Sequence, residues 1–407
     1  MSFSKFIKKI TNRFEYWILF YLLIVAVSGL SSFVVQMLST GLPLYCIDIG
    51  KTTAQSGIFA GFYSAAVILS RPLVGKWTDE KGKWNVVFLG IVLLTLSVAG
   101  MAFIPNLSLF SLYHVLEGLS FSALSTALAA LMVDILPPTT VVKGIALFTV
   151  IKSFSISLGA SYAVSFAEKF GPKNIFICSF FILVVSLIIT IFLKKKPDNN
   201  NQVNEFVKKE GTIELKGLDK FVYKKSLPIC LVQFTFTFCL TLATCYLPSY
   251  AQSIGLAGVG IYYTVSAVTM LLTRTLLSKL IDKLNPKAAY IVGMFLACIT
   301  TIGVLFSDKL VYFVFLSIPN AIGISLINPL LNVKATGNVE ANRRGVASST
   351  YYAALDLGSG AGSMIWGILV PVIGYSASFI SSSIILVIIF IYGLNKLKDW
   401  YGIFYSN

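Results

Sequence analysis

The stretch Leu42-Pro43-Leu44-Tyr45-Cys46-Ile47-Asp48-Ile49-Gly50 decides the fold, because its pattern returns in the second half of the chain as Leu247-Pro248-Ser249-Tyr250 followed by Ile254-Gly255. Further matches follow in the same order at shifts of 201–205 residues: Gly57 with Gly260, Arg71 with Arg274, Asp79 with Asp282, Lys143-Gly144 with Arg344-Gly345, and Gly159 with Gly360. One match would arise by chance. An ordered series across three loops indicates a duplicated chain with two equivalent halves.

The chain is too apolar for a water-soluble domain. Hydrophobic residues make up 56% of its 407 residues and charged residues 12%, and no Asp, Glu, Lys or Arg occurs in 16–47, 52–70, 174–193, 226–273 or 357–395. A helix crosses the hydrocarbon core with about 20 apolar residues, and these runs lack the alternation of barrel strands. We therefore predict an all-α integral membrane protein with twelve crossings: 16–38, 53–71, 85–103, 109–133, 144–167, 175–193, 227–250, 257–277, 288–306, 310–332, 346–370 and 375–394.

The net charge of +15 is distributed as membrane topology requires. The N-terminus, the connections after the even-numbered crossings and the C-terminus hold 27 of the 32 Lys and Arg residues, which predicts that both termini are cytoplasmic. No aromatic-and-basic pattern of a nucleic-acid-binding protein accompanies them. We expect a monomer in a bacterial inner (plasma) membrane, with no nucleic-acid partner. It should have an N-terminal six-helix bundle over 1–193, a charged cytoplasmic linker over 194–225 and a C-terminal six-helix bundle over 226–407.

The connection between the second and third crossings carries a family signature. Its sequence, Gly75-Lys-Trp-Thr-Asp79-Glu-Lys-Gly82-Lys83, resembles the loop G-x-L-A-D-R-x-G-R-K of the major facilitator superfamily, with Glu80 at the usual arginine and Trp77 at the usual leucine. The resemblance extends over the whole chain through the repeat. It implies the twelve-helix major facilitator fold, two parallel six-helix repeats around a central site.

The resemblance also implies a cytoplasmic gate. In the family the loop holds that face closed, and its Asp meets a helix end of the opposite half, where a carboxylate is stabilised by the helix dipole. By resemblance we assign this role to Asp79, with Asp282 as the weaker copy. Arg71 and Arg274, at the cytoplasmic ends of their crossings, are either snorkelling anchors or members of a gate network with Asp79 or Asp134.

Four ionisable residues lie at membrane depth, where each is a functional candidate because burial of charge is costly: His114, Glu117, Lys152 and Asp356. Exporters of the superfamily often carry R-x-x-Q-G in the fourth helix, and here that frame reads His114-Val-Leu-Glu117-Gly118. Arginine cannot titrate, whereas His and a desolvated Glu can. Our hypothesis is that Glu117 carries the proton and His114 tunes it, against a structural pair. An ion pair of Glu117 with Lys152 is also expected.

Asp356 begins the run Asp-Leu-Gly-Ser-Gly-Ala-Gly-Ser, whose glycines at 358, 360 and 362 permit close helix approach. Three roles stay open for its carboxylate: binding a cationic solute, carrying a proton, or pairing with a backbone group. The stretch Ser157–Tyr162 lacks the Gly-Pro pair of related antiporters, which weakens a strict antiporter assignment. Polar and aromatic residues at mid-depth are candidates for a substrate cavity, although each is also compatible with ordinary packing: Gln36, Tyr63, Gln233, Tyr263, Asn320, Asn328, Tyr351 and Tyr352.

These features together favour a secondary active transporter that works by alternating access, a proton-coupled exporter of small amphiphilic or cationic molecules. No enzyme motif, metal-ligand spacing or cofactor site is present in the sequence, so the expected energy source is the proton gradient and no metal or cofactor is expected. The acids Glu117 and Asp356 against Lys152 favour cations. The alternatives are a nutrient importer, a sugar or organic-anion facilitator, a substrate-sensing receptor and a lipid translocase.

Overall fold

The computed structural model describes residues 3–135, 141–194, 222–275, 285–336, 339 and 344–396. Within these ranges the side chains of the following residues are not described: 3–17, 72, 76, 79, 80, 133, 134, 141–143, 145, 146, 194, 275, 344, 345 and 349. The first half consists of six helices: α1 Phe3–Asp48, α2 Thr53–Lys81, α3 Lys83–Phe103, α4 Leu107–Ile135, α5 Val141–Phe170 and α6 Asn174–Lys194. The described part of the second half consists of α7 Leu227–Thr241, α8 Leu247–Ser253, α9 Gly260–Thr275, α10 Pro286–Gly303, α11 Leu310–Thr336 and α12 Arg344–Lys396.

Each of the twelve predicted crossings corresponds to a helical segment. Nine of the described helices are long and apolar enough to span a membrane, and one of these runs, Val346–Lys396, contains both of the last two predicted crossings. Gly374 separates them with φ 81° and ψ 166°, a left-handed conformation that glycine adopts at little cost. The seventh crossing is formed by α7, a π-helical stretch over Leu242–Tyr246, and α8.

The signature stretch departs from the expected loop. Gly75 and the residues up to Lys81 form the last turns of α2, and the chain turns only at Gly82, where φ is 84°. The helix continues through Pro72 and Gly75, and Thr78 Oγ1 donates a hydrogen bond to Val74 O at 2.7 Å. The helix therefore extends about two to three turns beyond residue 71, where the sequence places the end of the crossing.

The repeat is visible in packing as well as in sequence. Ser97 Oγ of α3 donates to Tyr113 O of α4 at 2.6 Å, and Thr300 Oγ1 of α10 reaches Leu316 O of α11 at 3.5 Å, with both partners 203 residues further along the chain. A hydrophobic core lies within each half. The same helix pairs thus make the same contacts twice.

The two sides of the bundle differ in their connections. One side, here called the turn face, carries the short connections 49–52, 104–106, 171–173, 254–259 and 307–309, together with Gly374. The other side, here called the basic face, carries the charged connections that include Lys81, Lys83 and Lys224.

The two halves meet along a seam of small residues, defined here as Gly57, Ser64, Gly360 and Gly367 between α2 and α12, and Ser161, Gly260 and Thr264 between α5 and α9. A Cβ at Gly57 would lie 2.9 Å from Met364 O and 3.0 Å from Gly367 Cα, so the two backbones are in contact. Thr53 Oγ1 donates to Gly367 O at 3.3 Å, and Ser161 donates to Gly260 O at 2.9 Å. The seam closes the bundle at the turn face.

The glycines of α12 confirm the expected close approach. Gly358 faces the carbonyl of Phe234 in α7, Gly362 faces Phe238 O and Thr241, and Gly360 faces Ser64. In the first half Gly159 of α5 faces the carbonyl of Phe33 in α1. By packing, Gly159 therefore corresponds to Gly358, two residues before the Gly360 that the sequence match suggests.

Candidate functional site

His114 and Glu117 form a buried pair on α4. Their side chains are 5% and 3% exposed, and His114 Nε2 lies 3.9 Å from Glu117 Oε2. The other ring nitrogen, Nδ1, is 2.8 Å from Phe110 O. A carbonyl can only accept a hydrogen bond, so Nδ1 carries a proton. Nε2 is then the atom that is free to gain or lose one, and it faces the carboxyl group.

Aromatic residues and a close helix contact shield this pair from solvent. The ring of Phe59 on α2 stacks on the His114 ring with centroids 5.6 Å apart, and the Phe110 ring lies 6.0 Å away. Directly after the carboxyl residue, Gly118 brings α4 against the carbonyl of Tyr63 in α2. The expected shared helix face of His114 and Glu117 is confirmed, whereas their role in proton transfer stays a prediction.

The expected ion pair between Glu117 and Lys152 is wrong. Lys152 of α5 lies within electrostatic range of Asp356 and Arg71, and its Nζ is 5.7 Å from the centroid of the Phe121 ring. Lys152 reaches α4 one turn beyond Glu117, because Phe121 lies four residues further along the same face of that helix. Similar depth in the membrane did not imply contact.

Asp356 instead pairs with Arg71 across the two halves. The Arg71 guanidinium of α2 donates to a carboxylate oxygen of Asp356 in α12, and the side chains are 29% and 24% exposed. None of the three roles expected for Asp356 included an arginine partner. The network expected for Arg71 with Asp79 or Asp134 lies outside the described side chains. This cross-half ion pair sits where the seam ends on the way to the basic face.

Arg274 occupies the place equivalent to Arg71 and also reaches the opposite half. Its Nη1 donates to Ser153 Oγ of α5 at 3.3 Å, and its Nε has no hydrogen-bond partner among the described residues. The two arginines are thus related by the repeat, but one meets a carboxylate and the other a hydroxyl. Ser153 and Phe121 were not among the predicted site residues, because an isolated Ser or Phe in an apolar helix carries no distinguishing pattern.

Three of the predicted cavity residues form a hydrogen-bond network inside the second half. Gln233 of α7 is fully buried, and its amide bonds Asn328 Oδ1 at 3.1 Å and the Tyr351 hydroxyl at 3.0 Å. The same hydroxyl lies 2.7 Å from Asn328 O. These side chains join α7, α11 and α12 and satisfy one another, and their role in a substrate cavity stays a prediction.

The other five cavity candidates are dispersed. Tyr263 is buried and donates to the carbonyls of Ala243 and Thr244 at 3.1 and 3.0 Å, where the π-helical stretch frees acceptors. Asn320 is buried and its Oδ1 has no partner among the described residues. Tyr63 is half-buried beside Glu117, Asp356 and Arg71. Gln36 donates to Thr40, and Tyr352 is 43% exposed beside Asn332.

The predicted gate residues are only partly described. Asp282 lies outside the described residues, as do the side chains of Asp79 and Asp134. A Cβ at Gly75 would meet nothing within 4 Å, and Gly82 forms the turn between α2 and α3. Lys83 Nζ lies 3.5 Å from Ala130 O of α4. The gate role of these residues stays a prediction.

A duplicated helical bundle that is sealed at one face by a seam, with ionisable groups at the base of that seam, defines a membrane carrier. The family model of the Major Facilitator Superfamily matches residues 24–307 and 229–399. The chain therefore belongs to the Major Facilitator Superfamily, and it is a transporter rather than an enzyme. The predicted all-α membrane fold is confirmed.

Its relatives in sequence include efflux proteins. The staphylopine export protein of Staphylococcus aureus (strain Mu50 / ATCC 700699) is 22% identical over 88% of this chain and 91% of its own length. Multidrug resistance protein 2 of Bacillus subtilis (strain 168) is 23% identical over 84% and 87%. The chain is thus similar to efflux proteins over most of its length, and its multi-pass membrane location follows from the family and the long apolar helices.

Solved transporter structures share the fold. The nucleoside transporter NupG superposes with a TM-score of 0.73 at 12% identity and covers 93% of this chain and 99% of that one. The human organic anion transporter MFSD10 superposes with a TM-score of 0.65 at 15% identity, with coverage of 91% and 98%. Identities this low support the architecture alone.

Proposed function

We propose that this protein exports small amphiphilic molecules by proton-coupled alternating access, with Glu117 as the main proton carrier and His114 as the group that tunes it. The observation that carries the proposal is the buried pair on α4. Its carboxyl group is 3% exposed and faces a single titratable nitrogen at 3.9 Å, with no cation closer among the described residues.

The pair can hold one exchangeable proton because Nδ1 of His114 is already committed to Phe110 O. With the proton on the carboxyl group, both side chains are neutral and their burial costs little. After the proton leaves, a carboxylate remains in an apolar pocket, which is costly unless it is solvated or paired. A conformation that wets α4 is then favoured, so protonation biases the equilibrium between two states.

Alternating access is supported by the asymmetry between the two faces. The seam closes the turn face through backbone contacts, and the named contacts between the halves end near Arg71 with Asp356 and Arg274 with Ser153. Rocking one half on the other would open the seam and bring the basic ends together. The excess of Lys and Arg on the basic face supports its assignment to the cytoplasmic side. The efflux relatives favour export.

Inside-out membrane vesicles with an acid interior test the coupling. Two fluorescent amphiphiles of opposite charge, ethidium and dansyl-aspartate, are offered outside, and gradient-dependent uptake of at least one is expected. Glu117→Gln should abolish the dependence on the gradient. Asp308→Asn removes an exposed acid at the turn face and should not affect it. Full gradient-driven uptake in Glu117→Gln would contradict the proton role, and uptake only under the reversed gradient would identify an importer.

A further inference from the structure

Arg71, Lys152 and Asp356 interact at the base of the seam, and Arg274 lies against the same stretch of α5. Arg71 and Asp356 form the ion pair, Lys152 lies within electrostatic range of both, and Arg274 reaches Ser153, which follows Lys152 in α5. Glu117 lies near this group, beside Tyr63, but its carboxyl group is 3% exposed, lies 3.9 Å from His114 Nε2 and forms no ion pair with the cluster among the described residues. The residues that line the end of the seam therefore carry a surplus of positive charge.

We propose that this cluster, consisting of Arg71, Lys152, Ser153, Arg274 and Asp356, binds an organic anion, and that the transported molecules carry at least one carboxylate next to an aromatic or apolar part. The proposal rests on the proposed transport function only in taking the space between the halves as the path of the solute. It reverses the expectation that the acids of the chain select cations.

Unused hydrogen-bond donors support an anion. The Nε atoms of Arg71 and Arg274 are buried and have no partner among the described residues. A guanidinium group presents donors in a planar fork that matches a carboxylate with two hydrogen bonds. Arg274 donates one hydrogen bond to a neutral hydroxyl at 3.3 Å. No described acid compensates its positive charge.

Asp356, the only described acid of the cluster, already has a cationic partner. The Asp356 carboxylate accepts from Arg71 and also feels the charge of Lys152. A cationic solute would have to displace one of these partners to reach it. An anionic solute would meet Lys152 and Arg274 without displacing any described carboxylate, so the arrangement favours the anion.

The surroundings define the rest of the solute. The ring of Phe121 lies 5.7 Å from Lys152 Nζ, and the ring of Tyr63 lies 6.4 Å from the Phe121 ring. Both side chains are half-buried, so they present aromatic surface beside the cations. An aromatic group attached to the carboxylate can pack there while the carboxylate meets the cluster.

Equilibrium binding to the purified protein in lipid nanodiscs tests the proposal without any proton gradient. The probes are dansyl-aspartate and dansylcadaverine, which share one fluorophore and carry opposite charge. We expect dansyl-aspartate to bind at least about tenfold more tightly, after subtraction of the signal from empty nanodiscs. Equal affinities, tighter binding of dansylcadaverine or no saturable binding of dansyl-aspartate would each overturn the proposal.

Four variants localise the site. Lys152→Gln and Arg274→Gln should each weaken dansyl-aspartate binding about tenfold, the loss expected for one charged hydrogen-bond donor. Lys287→Gln removes an exposed lysine at the start of α10 and should leave the affinity unchanged. Asp356→Asn should strengthen binding, because it releases Arg71 and removes a like charge.

The increase in Asp356→Asn is the result that a purely structural cluster would not produce. Unchanged affinity in both Lys152→Gln and Arg274→Gln would place the anion elsewhere and refute the site. The outcome is independent of the proton role of Glu117. Binding can persist when gradient-driven uptake fails, and coupled uptake of ethidium can persist when anion binding fails.

Discussion

The fourth helix of the first half and its counterpart in the second half have the same packing and different chemistry. Helix α4 and helix α11 each receive a hydrogen bond from the preceding helix at equivalent carbonyls, those of Tyr113 and Leu316. At the same offset of 203 residues, His114 and Glu117 correspond to Ser317 and Asn320. All four side chains are buried.

The fold therefore does not require the ionisable pair His114 and Glu117 on α4. The second half builds the same helix contact with a hydroxyl and an amide, which can be buried at lower cost than a carboxyl group. A costly group that packing does not need is a candidate for function. The same asymmetry recurs at the arginines, where Arg71 has an acid partner and Arg274 a serine.

The largest effect is expected when the chemistry of the second half is transferred to the first. The double variant His114→Ser with Glu117→Asn should lose gradient-driven uptake in vesicles, because no exchangeable proton remains on α4. Its thermal unfolding temperature should equal or exceed that of the parent protein, since a buried carboxyl group is removed. Solute exchange in the absence of a gradient is the control and should persist. Retained gradient-driven uptake in the double variant would show that the ionisable pair of α4 is not needed for coupling.

The two equivalent arginines should differ in their contribution to stability. Arg71→Gln leaves Asp356 without its partner and should cost about 1–3 kcal/mol in the free energy of unfolding, less than a fully buried pair because both side chains are partly exposed. Arg274→Gln breaks one bond to a hydroxyl and should cost about 0.5–1.5 kcal/mol. Chemical denaturation in detergent measures both.

The control for this pair is Arg71→Gln combined with Asp356→Asn. The double variant should recover most of the loss, because the stranded charge has been removed. Equal costs for Arg71→Gln and Arg274→Gln would mean that the ion pair adds nothing beyond a neutral hydrogen bond.

The equivalent seam glycines should respond unequally to a methyl group. A Cβ at Gly57 meets only backbone atoms of α12, three of them within 3.0 Å, whereas a Cβ at Gly260 meets one backbone atom at that distance, Ser161 O, and the rotatable Ser165 Oγ at 2.6 Å. We expect Gly57→Ala to cost about 1–3 kcal/mol and Gly260→Ala less. The native thiol of Cys245, buried beside Ser39 at the seam, reports opening.

Labelling of Cys245 by a membrane-impermeant maleimide, quantified by mass spectrometry, should rise in Gly57→Ala. Gly75→Ala is the matched control, since a Cβ there meets nothing within 4 Å. Faster labelling in Gly75→Ala than in Gly57→Ala would show that the seam is not what closes the turn face.

The smallest effect is expected at the repeated hydrogen bond itself. Ser97→Ala removes the 2.6 Å bond to Tyr113 O and should cost about 0.6 kcal/mol, the mean for such bonds between membrane helices. Thr300 bonds Leu296 O of its own helix at 2.9 Å and Leu316 O at 3.5 Å, so Thr300→Ala should cost less. Differential scanning calorimetry of both variants measures the difference in stability. A larger loss of stability for Thr300→Ala than for Ser97→Ala would contradict the prediction.

The sequence predicted the number and order of crossings because the gaps in charge report directly on passage through hydrocarbon. The repeat predicted which contacts recur. Predicted depth alone, however, does not tell which level of a neighbouring helix a side chain reaches. Lys152 of α5 reaches Phe121, one turn beyond Glu117 on the same face of α4, and does not pair with Glu117 itself.

The partner of Asp356 follows from the register of the seam. Helices α2 and α12 run antiparallel, with Gly57 against Gly367 and Ser64 against Gly360, and the same register brings Arg71 close to Asp356. That register depends on glycines whose contacts are known only once the halves are packed. The unequal partners of Arg71 and Arg274 could likewise not be read from residues that match in sequence.

The short connections of the turn face limit how this protein can deform. Links as short as 104–106, 171–173 and 307–309, and the single glycine at 374, tie neighbouring crossings into rigid hairpins. Individual helices therefore have few independent degrees of freedom at that side, and only groups of hairpins can pivot together. The turn face also projects almost no polypeptide beyond the membrane. A binder raised against that side would have to recognise the ends of the hairpins. By binding hairpins of both halves at once it would stabilise the closed conformation of the seam.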